Sequence, residues 1–290
     1  MADWLVTGAA GMLGVDLVGA LRGRGESVTA CTHADLDITD PGAVESIVGT
    51  HDVVVNLAAW TAVDDAEAHE GEATLVNGTG PTYLAEACGR IGARMIQLST
   101  DYVFSGTATE PYREDAPTEP INAYGRSKRV GEVAVRSILP DSGFVIRTAW
   151  LYGAHGTNFV TTMARLAQDR PTLNVVNDQH GQPTWTVDVA DKLITLIDSD
   201  APAGVYHATS TGQTTWCGLA RAVFEELDLD PAPVRATDSA SFARPAPRPS
   251  YSVLGHDAYQ RAGLEPIRHW REALHDAAPT VLAQFRSSSA

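Results

Sequence analysis

The strongest constraint on the fold is a set of three glycines at the point where an apolar segment gives way to a helical repeat. Trp4-Leu5-Val6 runs into Thr7, and Gly8, Gly11 and Gly14 follow at a spacing of three. Leu13, Leu17 and Leu21 then recur at helical spacing. A turn this rich in glycine lets backbone approach a ligand closely. The helix behind it offers free N–H groups and a positive dipole end. At a first strand–helix junction these residues predict a seat for a dinucleotide pyrophosphate.

The pattern continues as α/β. Ser27–Cys31, Val53–Leu57, Met95–Leu98 and Phe144–Ile146 are short continuous apolar runs, the mark of strands buried on both faces. Helical stretches separate them, including one over about Tyr124–Arg136. This order predicts a Rossmann-like, doubly wound parallel sheet. Residues 1–149 are expected to form a dinucleotide-binding domain, rejoined by 187–208 through a helix and a strand at Val205. Residues 150–290 are expected to form a smaller α/β substrate domain. The segment Asp230–Pro249 holds five prolines and reads mostly as loop, and the tail 286–290 as frayed.

Charge narrows the partners. With 36 acidic and 21 basic residues the net charge is −15, and no basic stripe is available to displace the counterions of a nucleic acid. No run of about 18 apolar residues marks a membrane span. The first residues lack the basic region of a signal peptide, so a cytoplasmic protein is expected. Three widely spaced cysteines, Cys31, Cys88 and Cys217, read as buried thiols rather than metal ligands.

Tyr124 and Lys128 stand four apart, on one helix face. A free tyrosine, with a pKa of about 10, is a poor acid–base group at neutral pH, and a neighbouring ammonium is expected to lower that value. Lys128 is one of two lysines in a chain whose other 19 cations are arginines. An arginine does not replace a compact ammonium at such a site. Thr100 ends the Met95–Leu98 strand region, where α/β sheets present ligand-facing groups. For the adenosine half of a dinucleotide two readings stand: Asp35 on the ribose, or Asp37-Ile38 along the adenine edge. No arginine adjoins them, so NADPH and NADH both remain open.

These residues resemble the extended short-chain dehydrogenase/reductases and, within them, the dTDP-4-dehydrorhamnose reductase family. The resemblance runs through the Gly8–Gly14 turn, Asn56–Asp64, Ser99–Phe104, Tyr124–Lys128, Arg147–Gly153, Asn158-Phe159, Asn177–Thr184 and Arg248-Pro249. It implies NAD(P)H-dependent reduction of the 4-keto group of dTDP-4-dehydro-L-rhamnose to dTDP-L-rhamnose. Tyr124 would be the proton donor, Lys128 its partner and ribose ligand, and Thr100 the group that orients the carbonyl. Gly11, Met12 and Leu13 would meet the pyrophosphate, Asp37 and Ile38 the adenine, and Ala59, Trp60 and Thr61 the length of the cofactor. Thr100, Asp101 and Trp150 would contact the dTDP-4-keto-6-deoxy sugar. A Trp stands at position 60 where the family more usually has His.

Arg248 reads either as a ligand of the substrate diphosphate, whose oxygens match a guanidinium fork, or as a loop arginine in water. The family includes both monomers and metal-bridged homodimers. No bridging carboxylates are assignable here, so Mg2+ and oligomeric state stay open. A dehydratase would carry Glu after Asp101, where this chain has Tyr102. The remaining alternatives are a ketoreductase for a related dTDP-4-keto-deoxysugar and a non-catalytic NAD(P)-binding regulatory subunit.

Overall fold

Six parallel strands make the central sheet of the computed structural model, which describes residues 2–285. They are β1 (Asp3–Thr7), β2 (Ser27–Cys31), β3 (Val53–Asn56), β4 (Arg94–Thr100), β5 (Gly143–Thr148) and β6 (Gly204–His207), in the spatial order β2-β1-β3-β4-β5-β6. The fold is Rossmann-like. Its apolar runs alternate between two cores. Trp4, Val6, Val53, Val55, Ile96 and Ile146 face helices Met12–Gly23 and Thr186–Asp198. Leu5, Val54, Met95 and Val145 face helices Pro41–Val48, Gly80–Ile91 and Ala123–Ile138. Both faces are covered, which is why the runs are continuous rather than alternating.

The chain leaves β1 for β2 on one side and returns to β3 on the other. The order therefore reverses at β1, and the crevice beyond the strand ends lies between β1 and β3. A buried polar ladder binds the strand ends there. The Thr7 hydroxyl donates to Asn56 Oδ1 at 2.6 Å, and Asn56 Nδ2 donates to Gln97 Oε1 at 2.8 Å. Each partner is satisfied, so the ladder fixes register without leaving an unpaired group in the core.

A third core lies beyond the sheet. It gathers Val160, Met163, Leu219, Val223, Leu274 and Val281 from helices Phe159–Asp169, Trp216–Glu226 and Trp270–Val281, with Tyr152 from the short strand Leu151–Tyr152. The proline-rich segment is less irregular than its sequence suggests. Val234–Thr237, free of proline between Pro233 and Pro245, pairs in parallel with Leu173–Val176, and Val234 is fully buried. The tail 286–290 lies outside the described residues. Among the described residues no helix is long and apolar enough to cross a membrane. All three cysteines are buried and unpaired.

Candidate active site

The glycine turn forms a cradle at the crevice. Gly8 has φ +65°, and a Cβ there would stand 2.6 Å from the Ala58 nitrogen. A Cβ at Gly14 would stand 2.4 Å from the Gly8 carbonyl oxygen. The turn therefore presses against both the segment after β3 and its own helix, as a side chain would forbid. Helix Met12–Gly23 starts from Gly11 with no side-chain cap, so the N–H groups around Met12 and Leu13 remain for an anion. Ala9 N–H donates to the Cys31 carbonyl at 3.1 Å, which brings the end of β2 beside the turn.

At that end the two acidic candidates are engaged locally. Asp35 accepts from the Thr32 N–H and hydroxyl, and Asp37 from those of Thr39, contacts that hold both carboxyls below the usual range. Both side chains are exposed at the mouth, while Ile38 is buried.

Ala59, Trp60 and Thr61 follow β3 along the crevice. Trp60 is clamped there by Asn77, whose Oδ1 accepts from the Trp60 N–H at 2.9 Å and whose Nδ2 donates to the Trp60 carbonyl at 3.0 Å. Asn77 also donates to the Ser127 hydroxyl at 2.9 Å, so one buried amide ties this segment to the Tyr124 helix. It sits in a π-helical turn, Leu75–Thr79, a geometry frequent at functional sites. No local sequence signal marks Asn77, because its partners are 17 and 50 residues away. The Trp60 indole N–H is buried with no partner, its ring packed with Ala66, Ala73, Ala123 and Tyr124.

Helix Ala123–Ile138 carries Tyr124 and Lys128. Asn122 caps it, accepting from the Gly125 N–H at 2.7 Å, and Glu67 accepts from the Ala123 N–H at 2.8 Å. Negative charge at this end complements the helix dipole. The Tyr124 hydroxyl meets that of Thr100, the last residue of β4. Thr100 Oγ1 donates to Asp101 Oδ1 at 3.0 Å and accepts from the Tyr102 N–H at 3.1 Å. Thr100, Asp101 and Tyr124 therefore meet at one strand end, with Lys128 one turn further along the Tyr124 helix.

Their electrostatics differ from the expectation that Lys128 lowers the Tyr124 pKa. Burial, then the Asp101 carboxylate, push the Tyr124 phenol up, and only the Thr100 hydroxyl opposes them. Burial also pulls Lys128 down to about 8, against the Glu132 carboxylate, and pushes Asp101 up to about 6. Lys128 is 3% exposed, with no ion-pair partner among the described residues. Beneath it, Glu132 makes a bidentate pair with Arg147, at 2.9 and 2.7 Å, and accepts from the Ser99 hydroxyl at 2.6 Å. His207 lies against Arg147, and burial holds it well below its ordinary pKa, hence neutral.

On the far side Trp150 adopts φ +47°, a left-handed conformation rare for a bulky residue. Its ring stacks on Trp216 at 3.6 Å and 8°. Trp216, absent from the sequence reading, is found only through this contact. Arg248 is not a loop arginine free in water: it pairs with Asp64. Among the described residues no group of three or more His, Cys, Asp or Glu is placed to hold a metal ion.

Comparison with known proteins covers nearly the whole chain. A family model described as RmlD substrate binding domain matches residues 2–282. The chain is 56% identical over 284 residues to the dTDP-4-dehydrorhamnose reductase of Streptomyces griseus, covering 96% of this chain and 93% of that protein. It is 54% identical over 282 residues to the dTDP-4-keto-6-deoxy-D-glucose reductase of Streptomyces niveus, covering 97% and 98%. A crystal structure of dTDP-4-dehydrorhamnose reductase from Bacillus anthracis in complex with NADP superposes with a TM-score of 0.92 at 34% identity, covering 95% and 98%.

Proposed function

The chain belongs to the family of the RmlD substrate binding domain, and from that premise we propose that it is an NAD(P)H-dependent reductase of a dTDP-4-keto-6-deoxy sugar. One observation carries the reading. A buried lysine without an ion-pair partner stands one helical turn from a tyrosine whose hydroxyl meets a strand-end threonine. An uncompensated buried ammonium is costly, and a site that uses its charge accounts for its retention.

The residues present fit the cofactor: an uncapped helix start behind a turn with no room for side chains, and further along the crevice an unpartnered indole N–H on Trp60. Gly8, Gly11, Met12, Leu13 and Gly14 would hold the pyrophosphate, Asp37 and Ile38 the adenine edge, and Ala59–Thr61 the nicotinamide half. Bound there, NAD(P)H supplies the hydride that reduces C4. The bound NADP in the Bacillus anthracis relative favours NADPH.

Tyr124 gives its hydroxyl proton to O4 of the sugar as the C4 carbonyl becomes an alcohol, and is reprotonated from solvent. Tyr124 carries its proton at neutral pH, the state a reductase needs, while burial and the Asp101 carboxylate make it a weaker acid, an effect the Lys128 ammonium must offset in the reaction. Lys128 binds the ribose and stabilises the phenolate left behind. Thr100 and Asp101 orient the carbonyl, Trp150 walls the sugar, and Arg248 meets the diphosphate. Residues 1–149 with 187–208 would serve the dinucleotide, and the remainder the sugar nucleotide.

The substrate supported best is dTDP-4-dehydro-L-rhamnose, giving dTDP-L-rhamnose. The Streptomyces niveus relative, nearly as similar, is named for a D-glucose-configured 4-keto sugar and supports that sugar as a second reading. The purified chain incubated with NADPH and each sugar should consume NADPH and yield one 4-hydroxy product, identified by NMR. Cofactor binding without turnover of either sugar would refute the reductase reading.

A further inference from the structure

A strap from the C-terminal third, residues 244–251, crosses the mouth of the site. Within it Ala246 and Pro249 are buried, Arg244, Pro245, Pro247 and Ser250 are exposed, and the Arg248 side chain, 18% exposed, makes polar contacts that set where it points. Asp64 is the main fastening. Its Oδ1 accepts from the Ala246 N–H at 3.2 Å and from Arg248 Nη1, and its Oδ2 faces Arg244 Nη1 at 3.5 Å. Asn122, the cap of the Tyr124 helix, donates to the Pro247 carbonyl at 2.9 Å. The Gly106 carbonyl accepts from the Ser250 hydroxyl at 2.9 Å. Arg248 also reaches Tyr102, whose ring meets that of Tyr124 edge-on at 6.1 Å.

We propose that Asp64 is a positioning residue, whose carboxylate presets Arg248 for the diphosphate of the sugar nucleotide. The inference rests on the reductase reading above. The two Nη1 donors go to Asp64 and to the Ala246 carbonyl, the latter at 2.6 Å, and Tyr102 takes a third, so two of the five guanidinium N–H donors remain for phosphate oxygens. The carboxylate therefore orients the cation more than it competes for it. Asp64 also lies three residues after the Ala59–Thr61 segment that Asn77 clamps to the Tyr124 helix. Placement of the diphosphate ligand thus depends on the dinucleotide side of the cleft, 184 residues away in sequence.

The test measures dTDP binding by calorimetry with NADP+ present, and kcat and KM with the 4-keto sugar, in wild type, Asp64→Ala, Asp64→Asn, Arg248→Ala and the double alanine variant. Asp64→Ala and Arg248→Ala should each weaken dTDP binding and raise KM about tenfold, the scale of one charge-assisted hydrogen bond. The double variant should be no weaker than either single one, because the two losses are one interaction. In the Asp64 single variants NADPH affinity and kcat should stay within about threefold, and Asp64→Asn, which keeps an acceptor for Ala246, should fall between wild type and Asp64→Ala in dTDP binding. Unchanged or tighter dTDP binding in both Asp64 variants, or additive losses in the double variant, overturns the proposal and leaves the reductase reading intact. Wild type that neither binds dTDP nor turns over the sugar refutes the reductase reading itself.

Discussion

Lys128 and Arg248 are the two cations flanking the Tyr124 corner, and they are held by opposite means. Lys128 is 3% exposed, set in a capped helix and packed above the Glu132–Arg147 pair. Arg248 lies half-buried on a partly exposed strap, and a carboxylate from another part of the chain pairs with it. The first arrangement suits a group that must stay within reach of a reacting bond. The second suits a ligand contact that tolerates adjustment. On the proposed function, chemistry sits on the sheet's strand ends, and substrate recognition on loops that the sheet braces.

Removing the proposed proton donor should break the fixed side most severely. Tyr124→Phe is expected to lower kcat by about 10²- to 10⁴-fold while dTDP and NADPH affinities hold, as steady-state kinetics and calorimetry would show. A near-normal kcat would remove Tyr124 from the mechanism.

The support beneath Lys128 should matter to folding. Glu132→Gln leaves Arg147 buried without its countercharge and should cost about 3–5 kcal/mol in urea denaturation. The exposed Arg126–Glu70 pair, equally well formed at 2.7 Å, should cost no more than about 1 kcal/mol when broken. Equal losses at the two pairs would contradict the contrast drawn between buried and exposed ion pairs.

A smaller, pH-dependent effect separates charge from packing. Lys128 has a folded pKa of about 8, below its unfolded value of about 10.4. Above pH 8 the folded chain binds fewer protons than the unfolded one, so the contribution of this lysine to stability rises between about pH 8 and 10. The ammonium is lost over the same range, so kcat/KM should fall as pH passes about 8. Lys128→Met should abolish the rise in stability. If kcat/KM stayed flat through pH 9, its ammonium would not be needed.

What the sequence made legible follows the range of each interaction. The glycine turn, the buried strands and the Tyr124/Lys128 spacing are local patterns set by neighbours within a helical turn or a strand. Asn77 on Trp60, Trp216 on Trp150 and Asp64 on Arg248 are pairings across 17 to 184 residues that only the fold creates. The Val234–Thr237 strand was hidden among flanking prolines, because its partner Leu173–Val176 is remote. The pKa of Tyr124 went the other way from expectation for the same reason: burial and Asp101 set it, and neither is visible in a four-residue spacing.

The central claim is that the two sides of the cleft divide the work, with chemistry at Tyr124 and diphosphate binding at Arg248. Measuring kcat and KM for the dTDP-4-keto-6-deoxy sugar in Tyr124→Phe and Arg248→Ala, side by side with wild type, tests it most directly. The account predicts a loss confined to kcat in the first variant and to KM in the second. The same loss profile in both variants, or the two profiles exchanged, would contradict it.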